Sequence, residues 1–220
     1  TALKTKVAHH APGWKTDTNA IWTVDLAYLL KSFHVRFKYL TATIGVDPDL
    51  KNQTFYQSTI RDDESRVNSL FKRAALSGVT IEHASLTQRE LRRLLRPHAA
   101  AAAPEASVAE HMVIALVDRR WLYHGQLGWG AGLVEHTFRW LSSALGRGRF
   151  IGHYVLLIDY VADADAFLIL DPSGKSEPIC VRADDLDAAR LSYGTDEDLL
   201  VIPVAQTISG ELDSGASTGP

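Results

Sequence analysis

The sequence predicts an α+β domain, with helices gathered in the first half packed on an antiparallel sheet built from the second half. Helical apolar spacing dominates the early part, while alternating or short continuous apolar runs dominate the last third. The turn-rich segment Asp163-Ala164-Asp165 separates two such runs and marks a hairpin. At 220 residues, 46% apolar and 22% charged, the chain can bury a sizeable core and reads as one domain.

Residues 1–20 carry little periodicity and read as an irregular N-terminal segment. A helix opened by Thr23 or Asp25 follows, with Leu26, Leu29, Leu30 and Phe33 on one stripe. Val35 to Thr41 alternates and predicts a strand with Val35, Phe37 and Tyr39 inward, and Gly45-Val46-Asp47-Pro48 is a loop. Asp62-Asp63 start a helix with Val67, Leu70, Phe71 and Ala74 on its apolar face, stopped by Gly78. Val79 to Glu82 is a short strand. Thr87 and Glu90 form a capping box for a helix carrying Leu91, Leu94 and Leu95, which Pro97 ends. Residues 97–108 are a low-complexity surface insertion rich in alanine, and Met112 to Val117 is a buried strand. Gly125 to Gly148, rich in Gly and Trp, holds one helix, Leu133 to Leu145; its glycines serve either as corners or as lid hinges. Gly152 to Tyr160 and Ala166 to Asp171 are the hairpin strands. A strand at Ile179 to Val181, a helix at Asp184 to Leu191 and a closing strand at Leu199 to Val204 complete a domain over 21–205. The tail, residues 206–220, is expected to be disordered.

The net charge of −3 gives no electrostatic reason to expect nucleic acid or an anionic membrane as partner. The single cysteine, Cys180, rules out an internal disulfide and a thiolate-rich zinc site and fits a reducing compartment. Apolar stretches such as Tyr154 to Ile158 fall far short of the ~20 residues of a membrane helix. Thr1-Ala2-Leu3-Lys4 does not open a signal peptide, so a cytoplasmic location is expected.

The hairpin places one pair of chemical interest. Residues opposite each other in an antiparallel pair have position numbers of constant sum, here about 324, which sets His153 against Asp171. A shift of two still leaves them diagonal neighbours. A carboxylate on one ring nitrogen fixes the imidazole tautomer and stabilises imidazolium, as acid–base catalysis requires. The alternative is a structural contact at a sheet edge. Phosphate-loop, dinucleotide, nucleophile-elbow and zinc-protease motifs are all missing. His9-His10 read as loop residues. Asp163 and Asp165 serve a turn or touch a divalent ion. Asp196-Glu197-Asp198 make a solvated acidic loop or hold Mg²⁺ beside a nucleotide. Cys180, in an apolar run, reads as a small buried core residue or a nucleophile.

Trp22-Thr23-Val24-Asp25-Leu26-Ala27-Tyr28, Gly152-His153-Tyr154-Val155, Asp171-Pro172 and Gly194-Thr195-Asp196-Glu197-Asp198 together resemble the plant-type soluble guanylyl cyclase family. Thr54-Phe55-Tyr56 and the helix with Arg66-Val67 and Leu70-Phe71 extend the resemblance from about Ile21 to Pro203. It implies conversion of GTP to cyclic GMP and pyrophosphate, with Mg²⁺ or Mn²⁺ accompanying GTP. A short pattern used for plant nucleotide cyclases is echoed at Ser32-Phe33-His34-Val35, but Arg36 and Gly45 depart from it.

The resemblance also implies a papain-like cysteine-peptidase fold of the bacteriocin-processing branch. There His153 and Asp171 correspond to the catalytic histidine and its orienting acid, and the substrate is peptide-like. The family's Asp-Cys-Gly-x-Ala-Cys string, on a helix upstream of Trp22, has no match in this sequence. The expectation is therefore that this helix is missing or its nucleophile lost, and that thiol chemistry is not possible as the chain stands. A missing helix should leave a groove at the face of His153 and expose Leu26 and Leu29. Cyclase, thiol hydrolase and non-catalytic interaction domain are the functions to be separated.

Overall fold

A computed structural model describes residues 21–47, 60–96, 109–122, 150–173 and 177–204. The helices are α1 (Thr23–Ser32), α2 (Ile60–Arg73), α3 (Gln88–Leu94), α4 (Arg119–Leu122) and α5 (Ala183–Arg190). The strands are β1 (Lys38–Thr41), β2 (Ile81–His83), β3 (His111–Asp118), β4 (Gly152–Val161), β5 (Ala166–Leu170), β6 (Ile179–Arg182) and β7 (Leu199–Pro203). They form one seven-stranded sheet in the order β2-β1-β7-β3-β4-β5-β6.

The sheet is mixed, not wholly antiparallel. β1 and β2 run parallel, Tyr39 facing Ile81, because the chain returns through α2 between them; the other pairings are antiparallel. The expected division of helices before strands also fails, since β1 and β2 form one flank of the sheet and α5 lies late in the chain. The insertion at 97–108, the helix expected at Leu133 to Leu145, and the segments 1–20 and 206–220 lie outside the described residues.

Helices cover both faces. On one, Val24 and Ala27 of α1 and Val67 and Leu70 of α2 pack with Tyr39, Phe150 and Leu200. On the other, Leu91 of α3, Leu122 of α4 and Leu186 of α5 pack with Val113, Val117, Val155, Phe167 and Ile169. Tyr39 and Leu40, adjacent on β1, enter opposite cores, so this strand is buried on both sides. The expected spacing on α2 holds for Val67 and Leu70, which are buried and each contribute ~1.5–3 kcal/mol; Phe71 is partly buried, and Ala74, buried, lies just past the end of the helix.

The α1 stripe differs from expectation. Val24 and Ala27 are its deepest apolar residues, and small side chains let the helix approach the sheet; Leu26 and Leu30 pack at the margin, while Phe33 is 51% exposed. The strand after it starts late. His34 takes a left-handed φ of 57°, and the His34 and Val35 amides donate to Lys31 and Leu30 carbonyls, so these residues close the helix. That cap accounts for the Ser32 to Val35 string. The Thr87–Glu90 capping box is as expected, with Thr87 N donating to Glu90 at 2.7 Å and Glu90 N to Thr87 Oγ1 at 3.3 Å.

Candidate functional site

The β4–β5 hairpin turns through a short 3₁₀ segment, Ala162–Ala164, and Asp165 at φ 44°. Asp165 accepts from Tyr160 Oη at 2.7 Å and pairs with Arg92 at 2.8 Å, so turn chemistry accounts for it. Next to the turn Val161 faces Ala166 and Tyr160 faces Phe167; farther out Leu157 faces Ile169 and Leu156 faces Leu170. A β-bulge between Leu157 and Asp159 changes the phase, with Ile158 the extra residue. Had the inner phase continued, Asp171 would stand against Leu156 and point toward α1. The bulge sends it to the face of Val155, Leu157 and Ile169, where β3 pairing also sets His153 beside Val117.

His153 Nε2 lies 2.7 Å from Asp171 Oδ1. The pair is diagonal, not directly opposed, because Asp171 falls opposite Val155, two residues along β4 from His153. The side chains are 14% and 5% exposed, so little water competes for the bond. Asp171 Oδ1 also accepts from Ser173 N at 2.8 Å and Ser173 Oγ at 2.9 Å, a local turn that aims the carboxylate. With Nε2 donating to Asp171, Nδ1 keeps the lone pair and is the ring atom available as a base.

Two glycines of the resemblance strings have a packing reason. A Cβ at Gly152 would come 3.0 Å from the Phe150 ring, and one at Gly194 would come 3.3 Å from it. Gly194 also has φ +97°, where side chains are strained. Both therefore admit the buried Phe150 under the outer end of β4.

The opposite face carries a polar network that sequence reasoning missed. Tyr39 Oη donates to Asp198 Oδ1 at 3.0 Å, Asp198 also bonds the Thr23 side chain, and Thr23 Oγ1 lies 3.1 Å from Tyr154 Oη. Burial pushes the Asp198 carboxyl up to about 8, with the Asp196 charge adding, against the hydroxyls of Thr23, Thr41 and Tyr39. Burial and the Asp198 charge hold the Tyr39 hydroxyl well above its ordinary range. Nearby, Asp25 caps α1 by accepting from Trp22 N at 3.1 Å and pairs with Arg66, which also binds Asp63 at 3.1 Å. The signal was Asp25 and Asp198 placed among apolar residues, where a carboxylate needs partners.

The acidic string is thus not a solvated loop. Asp198 is buried, Asp196 bonds Thr43, and Glu197 bonds Ser85, so the three carboxylates diverge. Among the described residues no three side chains of ligating type converge. Cys180 is exposed, not buried: Val181 enters the core with Phe167, so the neighbouring Cys180 points to the other face, away from His153. Leu26 packs on the face opposite His153 and so lines no surface beside the histidine. His9 and His10 lie outside the described residues. No helix among the described residues is long and apolar enough to cross a membrane.

A mixed α+β sheet with a phased His–Asp pair and the strings that surround it belong to a recognisable class. The chain is a member of the guanylyl cyclase family: the family profile described as Guanylylate cyclase matches residues 13–202. It is similar to Guanylyl cyclase 1 of Arabidopsis thaliana, 36% identical over 191 residues. The match covers 84% of this chain and 61% of that relative, so the chain spans about three fifths of the length of the curated protein.

Proposed function

We propose that this chain converts GTP into cyclic GMP and pyrophosphate, with His153 as general base. The observation that carries the reading is the 2.7 Å bond from His153 Nε2 to Asp171, which leaves Nδ1 to accept a proton. Family membership and the relative's name, a guanylyl cyclase, support the substrate. Nδ1 takes the proton of the ribose 3′-hydroxyl, O3′ bonds to the α-phosphorus, and the bond from that phosphorus to the bridging oxygen breaks. Pyrophosphate leaves with the electron pair, and Asp171 stabilises the imidazolium. Mg²⁺ or Mn²⁺ would neutralise the triphosphate. The described residues offer no three-ligand cradle for it, so we take the cation to enter with GTP.

One observation favours a second reading. A histidine and its orienting acid on adjacent strands suit a papain-like cysteine-peptidase fold, and with it thiol hydrolysis of a peptide-like substrate. Cys180 is the wrong nucleophile, since it lies on the other face of the sheet. The test is purified protein with GTP and Mg²⁺ or Mn²⁺, cyclic GMP being quantified by mass spectrometry. Product that survives Cys180→Ser and is lost in His153→Ala supports the cyclase. No product with either metal sinks it and leaves a non-catalytic interaction domain.

A further inference from the structure

β4 carries His153 on a stretch that is paired on one side only. β3 pairs with β4 from Gly152 to Leu157, but the β5 pairing stops at Leu156. The outer end of β4 therefore needs anchoring perpendicular to the sheet. Tyr154 supplies it, on the face opposite His153: its hydroxyl lies 3.2 Å from the Ile21 carbonyl oxygen and 3.1 Å from Thr23 Oγ1, both at the N-terminus of α1.

The hydrogen atoms count out in one direction. Tyr154 has one hydroxyl proton, which goes to the Ile21 carbonyl, so the Thr23 hydroxyl donates to Tyr154. Beyond Thr23 the same network reaches the Asp198 carboxyl, which Thr23 also bonds and into whose Oδ1 Tyr39 donates.

We propose that Tyr154 is a positioning residue for His153, its hydroxyl clamping the outer end of β4 to α1 so that the imidazole stays seated on Asp171. This rests on reading His153–Asp171 as the functional pair, but its test needs no turnover. Long-range proton–nitrogen NMR on the imidazole reports the tautomer, and exchange of the Nε2 proton reports how firmly it is held. In the unaltered chain the Nε2–H tautomer dominates. Tyr154→Phe and, from the other side, Thr23→Val admit the Nδ1–H tautomer and speed Nε2 proton exchange about tenfold, the scale of one lost buried hydrogen bond. Tyr28→Phe removes another hydroxyl bond of the same helix, to the Leu70 carbonyl at 2.9 Å, and leaves His153 unchanged. The proposal is overturned if Tyr154→Phe and Thr23→Val both leave tautomer and exchange as they were, or if Tyr28→Phe shifts them equally. Should Tyr154→Phe fail to fold, Thr23→Val decides alone. Absence of cyclic GMP would count against the cyclase reading while leaving this result intact.

Discussion

His153 holds Asp171 on the diagonal, past the point where strand pairing has ended; the last matched residues are Leu156 and Leu170. The carboxylate is held by Ser173 as well as by the ring. Asp171→Asn keeps the shape but removes the charge that stabilises imidazolium. If the chain is a cyclase, the rate of cyclic GMP formation falls by about 10²–10⁴-fold, the usual range for acid–base assistance. Thermal midpoints should stay close, so a collapsed fold would void the comparison.

The bulge makes a sharper claim. Removing Ile158 lets β4 and β5 pair in one phase, while β4 keeps its register with β3 through Val155 and Leu157, both buried. Leu157 then adjoins Asp159 as their partners Ile169 and Leu168 adjoin each other, so Asp171 stays against Val155 on the face of His153. The expected outcome is that the His153 Nε2–H resonance held by Asp171 is kept, with far-ultraviolet circular dichroism retained. A deletion variant that loses this resonance contradicts the phase argument.

Stability should fall as pH rises. The Asp198 carboxyl sits at about 8 in the folded protein against about 4 in an unfolded chain, so the folded state holds a proton that the unfolded state has released. Ionising it in place costs free energy on the order of a few kcal/mol across that window. Asp196, pushed by burial up to about 6, adds the same sign over the lower part. Asn at 198 can accept from Tyr39 and donate to Thr23, so Asp198→Asn should flatten the slope and exceed the parent in stability above pH 8. Urea unfolding between pH 4.5 and 8.5 measures both; parallel curves would contradict the neutral carboxyl.

Much of this was legible beforehand. The Thr87–Glu90 box, the α2 spacing and the His153–Asp171 pairing depend on local periodicity and turn chemistry, which a sequence displays directly. The parallel β1–β2 pair and the bulge were not, because they depend on where a crossover lands and on which face wins the register. Cys180 misled for a related reason. Its apolar neighbours suggested burial, but one step along a strand reverses the face, and Val181 takes the core position.

That correction is testable. Cys180 should react with an aromatic disulfide reagent in the native state at close to the rate of the unfolded chain, and Cys180→Ser should leave stability and, on the cyclase reading, cyclic GMP formation unchanged. Protection of the thiol until unfolding would restore the buried reading.

Arg66 is 16% exposed and spans Asp25 and Asp63, both nearly buried. Arg66→Met leaves two carboxylates without their cation and should cost about 3–5 kcal/mol by urea unfolding. Arg66→Lys keeps the charge without the fork and should cost less.

The extra residue in β4 makes the distance between His153 and Asp171 along the chain a question of parity. Within the strands, a related chain keeps the two side chains on one surface only if residues are gained or lost in even number, or if an odd change is absorbed by losing or doubling the bulge. Length can drift freely at the Ala162–Ala164 turn only when the turn reabsorbs the phase. The hairpin thus acts as a counting device: its lineage can change almost any residue between the two groups more easily than it can change how many there are.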